Sequence, residues 1–434
     1  MPATFELFTK RRLPSQEQVT IYVHHTGSDS AAGTDTAPVA STEEALARIP
    51  SLLWGRRAVV RYLPGHVETI PTLFFPPLLG AGHSDDIAFD GEDPAWDFVR
   101  CQVSLEAAPM DVESVNGVVS YADATTGLLK ITDASKSWTV NEHRGRLLYN
   151  PGMIAELAII WANTATEIYT TGIGFSDGAM MIADRGANLT LGDAAANVLA
   201  GLLMNACHAP LAMIGLGLHA ASDTGPVIDA TCHNGVAFLG CEFAGGVYLR
   251  PGAGVVAFDG CYLHGGSWAP NGQPLAMRGS YLQGMTVAFH GSGGAGQYDF
   301  YGCRIDGCGS IGHGGTTRPE GGYDIDSCWI ANGTGHGILY SGGNRARIRN
   351  TRIDACAGDA LRADGTGVLT LSGITGSGSA GRGCYIDNGA HVLPTSVSLT
   401  GTQGDVILGG ASGTPYTWAQ APQVNASRLC RFGL

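Results

Sequence analysis

The sequence predicts an all-β solenoid, in which short parallel strands stack into coils of about 20–25 residues. Two observations predict it. A short phrase recurs along the second half of the chain, and glycine, with 64 of 434 residues, has roughly twice its usual share. Charged residues make up only 15% of the chain, and amphipathic helical patterns are scarce. Many tight turns between short strands would account for this composition.

The recurring phrase carries the strand pattern. Its copies begin at residues 238, 258, 277, 300, 325 and 348, and read FLGCEF, FDGCYL, MRGSYL, FYGCRI, IDSCWI and IRNTRI. The first, fourth and sixth positions hold apolar or small residues, and this alternation predicts strands with those side chains in a core. The third position holds glycine, serine or asparagine, which tolerate the left-handed backbone of a sharp bend. Three short strands per coil fit this pattern.

Two further segments, YDIDSCWIANGTGHGILY and ARIRNTRIDACAGDALRAD, resemble right-handed parallel β-helix proteins of the pectate-lyase-like superfamily. The stretches AVVRYLPGHVETI and LLGAGHSDDIAFDG, between residues 58 and 91, resemble the first coils of such helices. The resemblance covers roughly residues 20–100 and 165–410. It implies a right-handed parallel β-helix solenoid. It leaves function open, because this fold hosts lyases, hydrolases, epimerases and inert spikes.

The order of segments suggests five regions. We expect an N-terminal attachment arm (1–20), first β-helix coils and cap (21–100), an inserted small β-module (101–165), the main parallel β-helix (166–410) and a C-terminal cap (411–434). The stretch 128–172 alternates like strands of a small barrel and resembles a short module of phage-type β-helix proteins. An oversized solenoid loop is the alternative. The cap would protect the last coil from edge-to-edge pairing.

Charge and composition restrict the partners. A net charge of −13 disfavours nucleic acid. The apolar stretch 153–162 is too short to insert into a membrane, and the opening residues lack the apolar core of a secretory signal. Eleven cysteines without a CxxC pair predict buried thiols and no metal cofactor. We therefore expect synthesis in the cytoplasm and a role on an extracellular particle, a virion or injection system.

The fifth position of the phrase points outward, and successive coils stack its residues into a ladder. Aromatic rings stack on sugars and arginine binds carboxylates, so the ladder predicts a surface for an acidic polysaccharide. The alternative is that these side chains cover a sheet face or a trimer interface. The ladder comprises Glu242, Tyr262, Tyr281, Arg304, Trp329 and Arg352.

Carboxylates gather in neighbouring outward columns. Asp299 and Asp324 should lie one coil apart, which suits the carboxylate pair of a glycosidase, and Asp326 stands beside them. We expect Arg347 and Arg349, on the next coil, to contribute to glycan binding. By analogy with lyases of this fold, the same aspartates could instead hold a calcium ion, with Arg347 or Arg349 as the base. The alternative is an ion-pair ladder on a solvated face.

A ridge of polar residues follows the strands. His313, His336 and Asp359 occupy similar offsets after the phrase, near a long loop that adds Arg318 and Glu320. Long loops on a solenoid often carry the binding site. We expect His313 and His336 to contribute to glycan binding, and polar turn residues are the alternative.

Two function classes remain. The first is a structural appendage, a spike or fibre of a phage or phage-like particle, that recognises host-surface glycan and attaches to other particle proteins through its N-terminal region. The run Ala237, Ala257 and Ala276 suggests a homotrimer interface. The second is a polysaccharide lyase or glycoside hydrolase acting on an acidic polysaccharide through Asp299, Asp324 and Asp326.

Overall fold

The computed structural model describes most of the chain between residues 18 and 408. The described ranges are 18–50, 57–71, 73–74, 103–151, 157–172, 175–192, 202–203, 211–221, 226–231, 235–250, 256–266, 268–269, 275–285, 289–290, 298–313, 322–340, 345–364, 368–386, 391–403 and 406–408. The predicted attachment arm up to residue 17, the predicted C-terminal cap, and Arg318 and Glu320 lie outside them.

The described chain forms the predicted parallel β-helix, in which three rows of parallel strands run along its length. The first two rows join into one network of 21 strands. The first row contains Gln18–Val23, Arg57–Tyr62, Val103–Ala107, Leu211–Ile214, Val236–Leu239, Val256–Asp259, Leu275–Arg278, Tyr298–Tyr301, Tyr323–Asp326, Arg345–Arg349, Val368–Ser379 and His391–Gly401, the last two continuing into the second row.

The other two rows complete each coil. The second row contains His66–Ile70, Ala187–Leu191, Leu216–Ala220, Glu242–Ala244, Tyr262–His264, Tyr281–Gln283, Arg304–Asp306, Trp329–Ala331 and Arg352–Asp354. The third contains Leu73–Phe74, Leu202–Leu203, Pro226–Thr231, Gly246–Arg250, Trp268–Ala269, Phe289–His290, Ile311–His313, Ile338–Tyr340, Leu361–Ala363, Cys384–Ile386 and Val406–Leu408.

The phrase occupies the corner between the first and second rows. Its three inward columns fill the core, and none of their residues is more than 2% exposed. The bend residues adopt positive φ as predicted, from 62° at Gly240 to 44° at Asn350. Phe238 and Phe258 stack on adjacent coils with ring centroids 4.9 Å apart. The repeat therefore specifies both the core and the corner of each coil.

Hydrogen bonding explains why the fourth column holds cysteine, serine or threonine. Cys303 donates its thiol to the carbonyl of Tyr301 at 3.4 Å, and Thr351 donates its hydroxyl to the carbonyl of Arg349 at 2.7 Å. Each column residue thus satisfies the carbonyl two residues before it, at the bend. The seven cysteines in the described part of the chain are unpaired and buried, as predicted.

An antiparallel barrel interrupts the helix at one corner. Its strands are Met110–Tyr121, Leu129–Thr132, Leu147–Tyr149, Leu157–Asn163, Glu167–Thr170 and Gly178–Asp184, and they close into a cylinder. The module predicted at 101–165 is therefore a barrel, but its strands span 110–184. Residues 103–107 instead belong to the helix, because they pair with Arg57–Tyr62 and Leu211–Ile214.

The barrel lies against the side of the helix and bonds to its corners through main-chain oxygens. Arg185 donates to the carbonyl of Gly240 at 3.2 Å, Thr171 to that of Gly279 at 2.6 Å, and the Gly172 amide to that of Gly302 at 3.0 Å. The alanine run is also covered. Ala237, Ala257 and Ala276 are at most 4% exposed within the single chain, so the face predicted for a trimer contact is not free. Of these three, Ala237 and Ala257 share an apolar cluster with Leu157 of the barrel.

One short helix lies near the N-terminal end. Thr42–Ala47 is capped by Ser41, whose side chain accepts from the Glu44 amide at 3.2 Å. Buried Leu46 joins the core of the first coils. No helix in the described part of the chain is long and apolar enough to cross a membrane.

Candidate functional site

The outward columns of the first row have the register that the sequence predicts. Asp299 pairs with Asp324, and Asp324 with Arg347, on successive strands. In the second column Tyr301, Asp326 and Arg349 follow one another in the same way. The three predicted catalytic aspartates therefore share one face with both predicted arginines. We call the surface formed by Asp299, Tyr301, Asp324, Asp326, Arg347 and Arg349 the first-row face.

Ion pairs link the later coils of this face. Arg347 Nη2 lies 2.6 Å from Asp324 Oδ2, and Arg349 Nη2 lies 3.4 Å from Asp324 Oδ1 and 3.2 Å from Asp326 Oδ2. Asn350 and Ser327 each donate to Asp326 Oδ1 at 3.1 Å. Asp324 and Asp326 are thus acceptors within an ion-pair network, and a catalytic role for Asp299, Asp324 and Asp326 stays a prediction.

Exposure on the first-row face favours the cations. The side chains of Arg347 and Arg349 are 46% and 43% exposed, whereas those of Asp324 and Asp326 are 17% and 16% exposed. Burial and the charge of Asp326 raise the pKa of Tyr301, so its hydroxyl stays protonated and can donate. Of the ion-paired side chains on this face, the guanidinium groups are therefore the more accessible.

The ladder of the second row also has its predicted register, from Glu242 to Arg352. The barrel, however, covers much of it. Tyr281 is fully buried, Arg304 is 4% exposed and Tyr262 is 9% exposed. Tyr262 and Tyr281 pack in one cluster with Leu147, Tyr149, Ile159 and Ala183 of the barrel. The prediction that these three side chains form an exposed surface is wrong, because the module docks on them.

Arg304 is held between two indole rings. Its Cζ lies 4.7 Å from the ring centre of Trp161, on the barrel, and 4.5 Å from that of Trp329. Burial lowers the pKa of Arg304, although Asp306 opposes this effect. Sequence reasoning missed Trp161. The one indication in the sequence was an aromatic residue within a segment that alternates like a barrel strand.

The far end of the ladder is joined to the barrel by charge. Arg352 Nη1 lies 2.8 Å from Asp123 of the barrel, and its Nε lies 2.5 Å from Asp354. Its Cζ also lies 4.6 Å from the ring of Trp329. Trp329 and Arg352 are half-buried, and glycan binding by these two residues stays a prediction.

The near end of the ladder holds a charged cluster that sequence reasoning missed, in which Arg185 is buried and Glu242 and His264 are half-buried. Glu242 Oε1 lies 3.0 Å from His264 Nε2, and Glu242 Oε2 lies 3.8 Å from Arg185 Nη1. Burial alone would raise the pKa of Glu242, but His264 and Arg185 outweigh it, and the net shift is downward. His219 lies beside them with a buried Nε2 that has no hydrogen-bond partner. Arg185 lies where the chain leaves the last barrel strand and re-enters the β-helix. A repeat pattern does not include this position, so it cannot predict the contact.

The predicted polar ridge consists partly of turn residues. His336 Nδ1 accepts from the Asp359 amide at 2.9 Å, and Asp359 Oδ1 accepts from the Arg382 amide at 2.8 Å. Asp359 is only 5% exposed, so it serves the turn. Burial lowers the pKa of His336. The side chain of His313 lies outside the described residues, and glycan binding by both histidines stays a prediction.

A metal ion has no evident site in the described ranges. They contain no group of three or more histidine, cysteine, aspartate or glutamate residues suited to holding one. Asp324 and Asp326 do not fit calcium well, because the guanidinium groups of Arg347 and Arg349 already occupy their oxygens.

Comparisons with known proteins add little to this geometry. No protein-family model matches the sequence, and no curated protein matches it. A structure of XylC with xylose is 10% identical, with a TM-score of 0.27, covering 86% of this chain and 70% of the other. A glycoside hydrolase is 8% identical, with a TM-score of 0.23, covering 96% and 98%.

A third solved structure is the Gp54 tailspike of Acinetobacter baumannii bacteriophage AP22 in complex with A. baumannii capsular saccharide. It is 10% identical, with a TM-score of 0.19, covering 81% of this chain and 70% of the other. All three similarities are low. The fold assignment therefore depends on the strand pairing, and any functional assignment depends on the site geometry.

Proposed function

We propose that this protein is a spike or fibre of a phage or phage-like particle that binds an acidic host-surface polysaccharide through the first-row face. One observation carries the proposal. Arg347 and Arg349 stand exposed on a single strand while Asp324 and Asp326 hold their guanidinium groups in place. Preorganised cations lose little freedom on binding, so more of the interaction energy appears as affinity.

The geometry of the two arginines suits a polymer. Arg347 uses one nitrogen for Asp324, and its other donors can engage a sugar carboxylate. Residues two apart on a strand are roughly 6.6–6.8 Å apart, so the pair can contact two anionic groups of one chain. The parallel coils continue this face along the helix axis, and Tyr301 adds a donor in the same column as Arg349, two coils away.

Cleavage of the polysaccharide is the second candidate, and the aspartates support it less well. A glycosidase needs a carboxylic acid that donates a proton to the leaving oxygen. Both oxygens of Asp324 instead face arginine nitrogens. Asp324 therefore acts as a hydrogen-bond acceptor rather than as a proton donor, and this favours glycan binding over cleavage.

The test is calorimetric titration of the purified chain with acidic and neutral bacterial polysaccharides. We expect an acidic polymer to bind, and Arg347→Gln to weaken binding about 10- to 100-fold, since a charge-assisted hydrogen bond contributes about 1.5–3 kcal/mol. The matched control is Arg146→Gln, which removes an ion-paired arginine from the barrel. Equal affinities for wild type and Arg347→Gln would exclude the first-row face.

The same samples report on cleavage and assembly. Ultraviolet absorbance of unsaturated products would reveal a lyase, and new reducing ends that vanish in Asp324→Asn would reveal a hydrolase. Either result would replace the binding-only proposal. Light scattering tests the homotrimer expected from the sequence, whose mass would be three times the 45.0 kDa of the chain.

A further inference from the structure

A second arginine-rich surface lies on the third row, away from the first-row face. Arg362 and Tyr385 are register partners on adjacent strands. Their strand neighbours Leu361 and Cys384 are buried in the core, so the alternation of the strand places Arg362 and Tyr385 on the outer side. Sequence reasoning singled out neither residue.

Two guanidinium groups converge on one aromatic ring at this surface. The Cζ of Arg382 lies 4.2 Å from the centre of the Tyr385 ring, and the Cζ of Arg362 lies 5.2 Å from it. Attraction to the ring holds each cation in place. The ring also brings together two like charges, which is unfavourable unless an anion joins them.

The anions in the described part of the chain compensate only one of these cations. Arg362 Nε donates to Asp364 Oδ2 at 2.7 Å. Within the described residues the Arg382 guanidinium has neither an ion pair nor a hydrogen bond, and its Nε is buried without a partner. The carboxylate of Asp359 is buried and accepts from the backbone amide of Arg382 at 2.8 Å, and no described ion pair joins it to the Arg382 guanidinium.

We propose that Arg382, Arg362 and Tyr385 form a second binding site, which takes the carboxylate of an acidic saccharide. The terminal nitrogens of Arg382 make no described hydrogen bond or ion pair, and Asp364 bonds the Nε of Arg362 rather than its terminal nitrogens, so both guanidinium groups can donate to one oxyanion. The Tyr385 ring holds both guanidinium groups in place, so they lose less conformational entropy when a ligand binds. The site does not depend on Arg347 or Arg349, because it lies on a different row of strands.

The experiment is calorimetric titration with tetragalacturonate, and with its methyl ester as an uncharged equivalent. We expect the acid but not the ester to bind, and Arg382→Gln to weaken one class of site at least about 10-fold. Arg347→Gln should affect only the first-row class, and Arg146→Gln, which removes an ion-paired arginine from the barrel, is the matched control that should leave both classes unchanged. If Arg382→Gln leaves every site intact while Arg347→Gln removes one, this proposal fails and the first-row face stands. If the wild type binds the ester equally well, or neither ligand, the third-row site is overturned.

Thermal unfolding separates a binding role from a structural one. Because the charge of Arg382 has no described anionic partner, Arg382→Gln should melt at the wild-type temperature or above it. Tyr385→Leu keeps an apolar side chain but removes the ring, and it should weaken the same class of site. Arg382 would have a structural role if Arg382→Gln lowered the melting temperature strongly while Tyr385→Leu left binding unchanged. That pair of results would reject the third-row site.

Discussion

The ladder of the second row and the first-row face contain the same kinds of residue, but their surroundings differ. In the ladder, Arg304 and Tyr281 lie under the barrel and contact Trp161 and its neighbours. On the first-row face, Arg347 remains 46% exposed, and no described ring contact or ion pair joins Arg347 or Tyr301 to the barrel. Outward arginine and tyrosine therefore do not by themselves mark a binding surface. What lies outside the coil decides whether they stabilise the protein or remain available to a ligand.

The contrast between the two surfaces is tested most directly by removing one aromatic ring from each of them. Tyr281→Ala should lower the free energy of unfolding by about 3–5 kcal/mol, because it leaves a cavity between barrel and helix. Tyr301→Ala should lower it by about 1 kcal/mol. Chemical denaturation followed by circular dichroism measures both.

Tyr281→Phe is the internal control for cavity formation. The Tyr281 hydroxyl is buried and has no described partner, so its removal should be neutral or stabilising. Equal losses for Tyr281→Ala and Tyr301→Ala would show that the barrel does not pack on the ladder as described.

A smaller effect should come from the arginines. Arg304→Ala removes a desolvated cation from between two indole rings, and we expect a loss of about 2–4 kcal/mol together with a change in tryptophan fluorescence. Arg349→Ala removes a cation that is 43% exposed, and it should change stability by less than about 1 kcal/mol. Similar melting temperatures for the two variants would contradict the contrast between the surfaces.

The smallest effect concerns pH at the barrel junction. Burial lowers the pKa of His219 below its ordinary 6.5, with Glu242 opposing and His264 and Arg185 reinforcing. His219 therefore binds a proton more readily in the unfolded chain than in the folded protein. Its contribution to the free energy of unfolding is fully present above pH 6.5 and declines as the pH falls below that value. The pKa of Glu242 is also lowered, so its contribution is present above pH 4.5 and is lost as the pH falls through the folded-state value.

Melting temperature as a function of pH measures this effect. We expect wild type to lose stability on acidification below pH 6.5, and His219→Gln to lose less over the same range. His336→Gln is a comparison variant, since burial lowers the pKa of His336 at a site away from the barrel. An unchanged slope in His219→Gln would show that His219 does not titrate at the junction.

Much of the fold could be predicted from the sequence, because the repeat encodes it locally. Alternation of side chains along each strand predicts the inward columns, and the recurring phrase predicts the bend at Gly240 or Asn350. Aligning the copies of the phrase also predicts the strand register from Asp299 to Arg347. The column of cysteine, serine and threonine was predicted as small and buried, and the structure adds the reason, a donor for a corner carbonyl.

The covering of the ladder could not be predicted in this way. Alternation shows that a side chain leaves the coil, but it does not show what lies beyond it. The contacts that decide the matter join distant parts of the chain, such as Thr171 with Gly279 and Asp123 with Arg352. The third-row site was missed for a related reason, since Arg382 precedes its strand and reaches Tyr385 only after the turn forms.

The corner bonds of the barrel alter how the solenoid resists unravelling. In a pure repeat each coil touches only its neighbours, so terminal coils can fray one at a time. The barrel contacts the coil of Gly240, those of Gly279 and Gly302, and the coil of Arg352. It thereby couples coils that are not neighbours, such as those of Gly240 and Arg352. Opening any of them disturbs the same module, and this stretch of the helix gains a cooperativity that stacking alone does not provide.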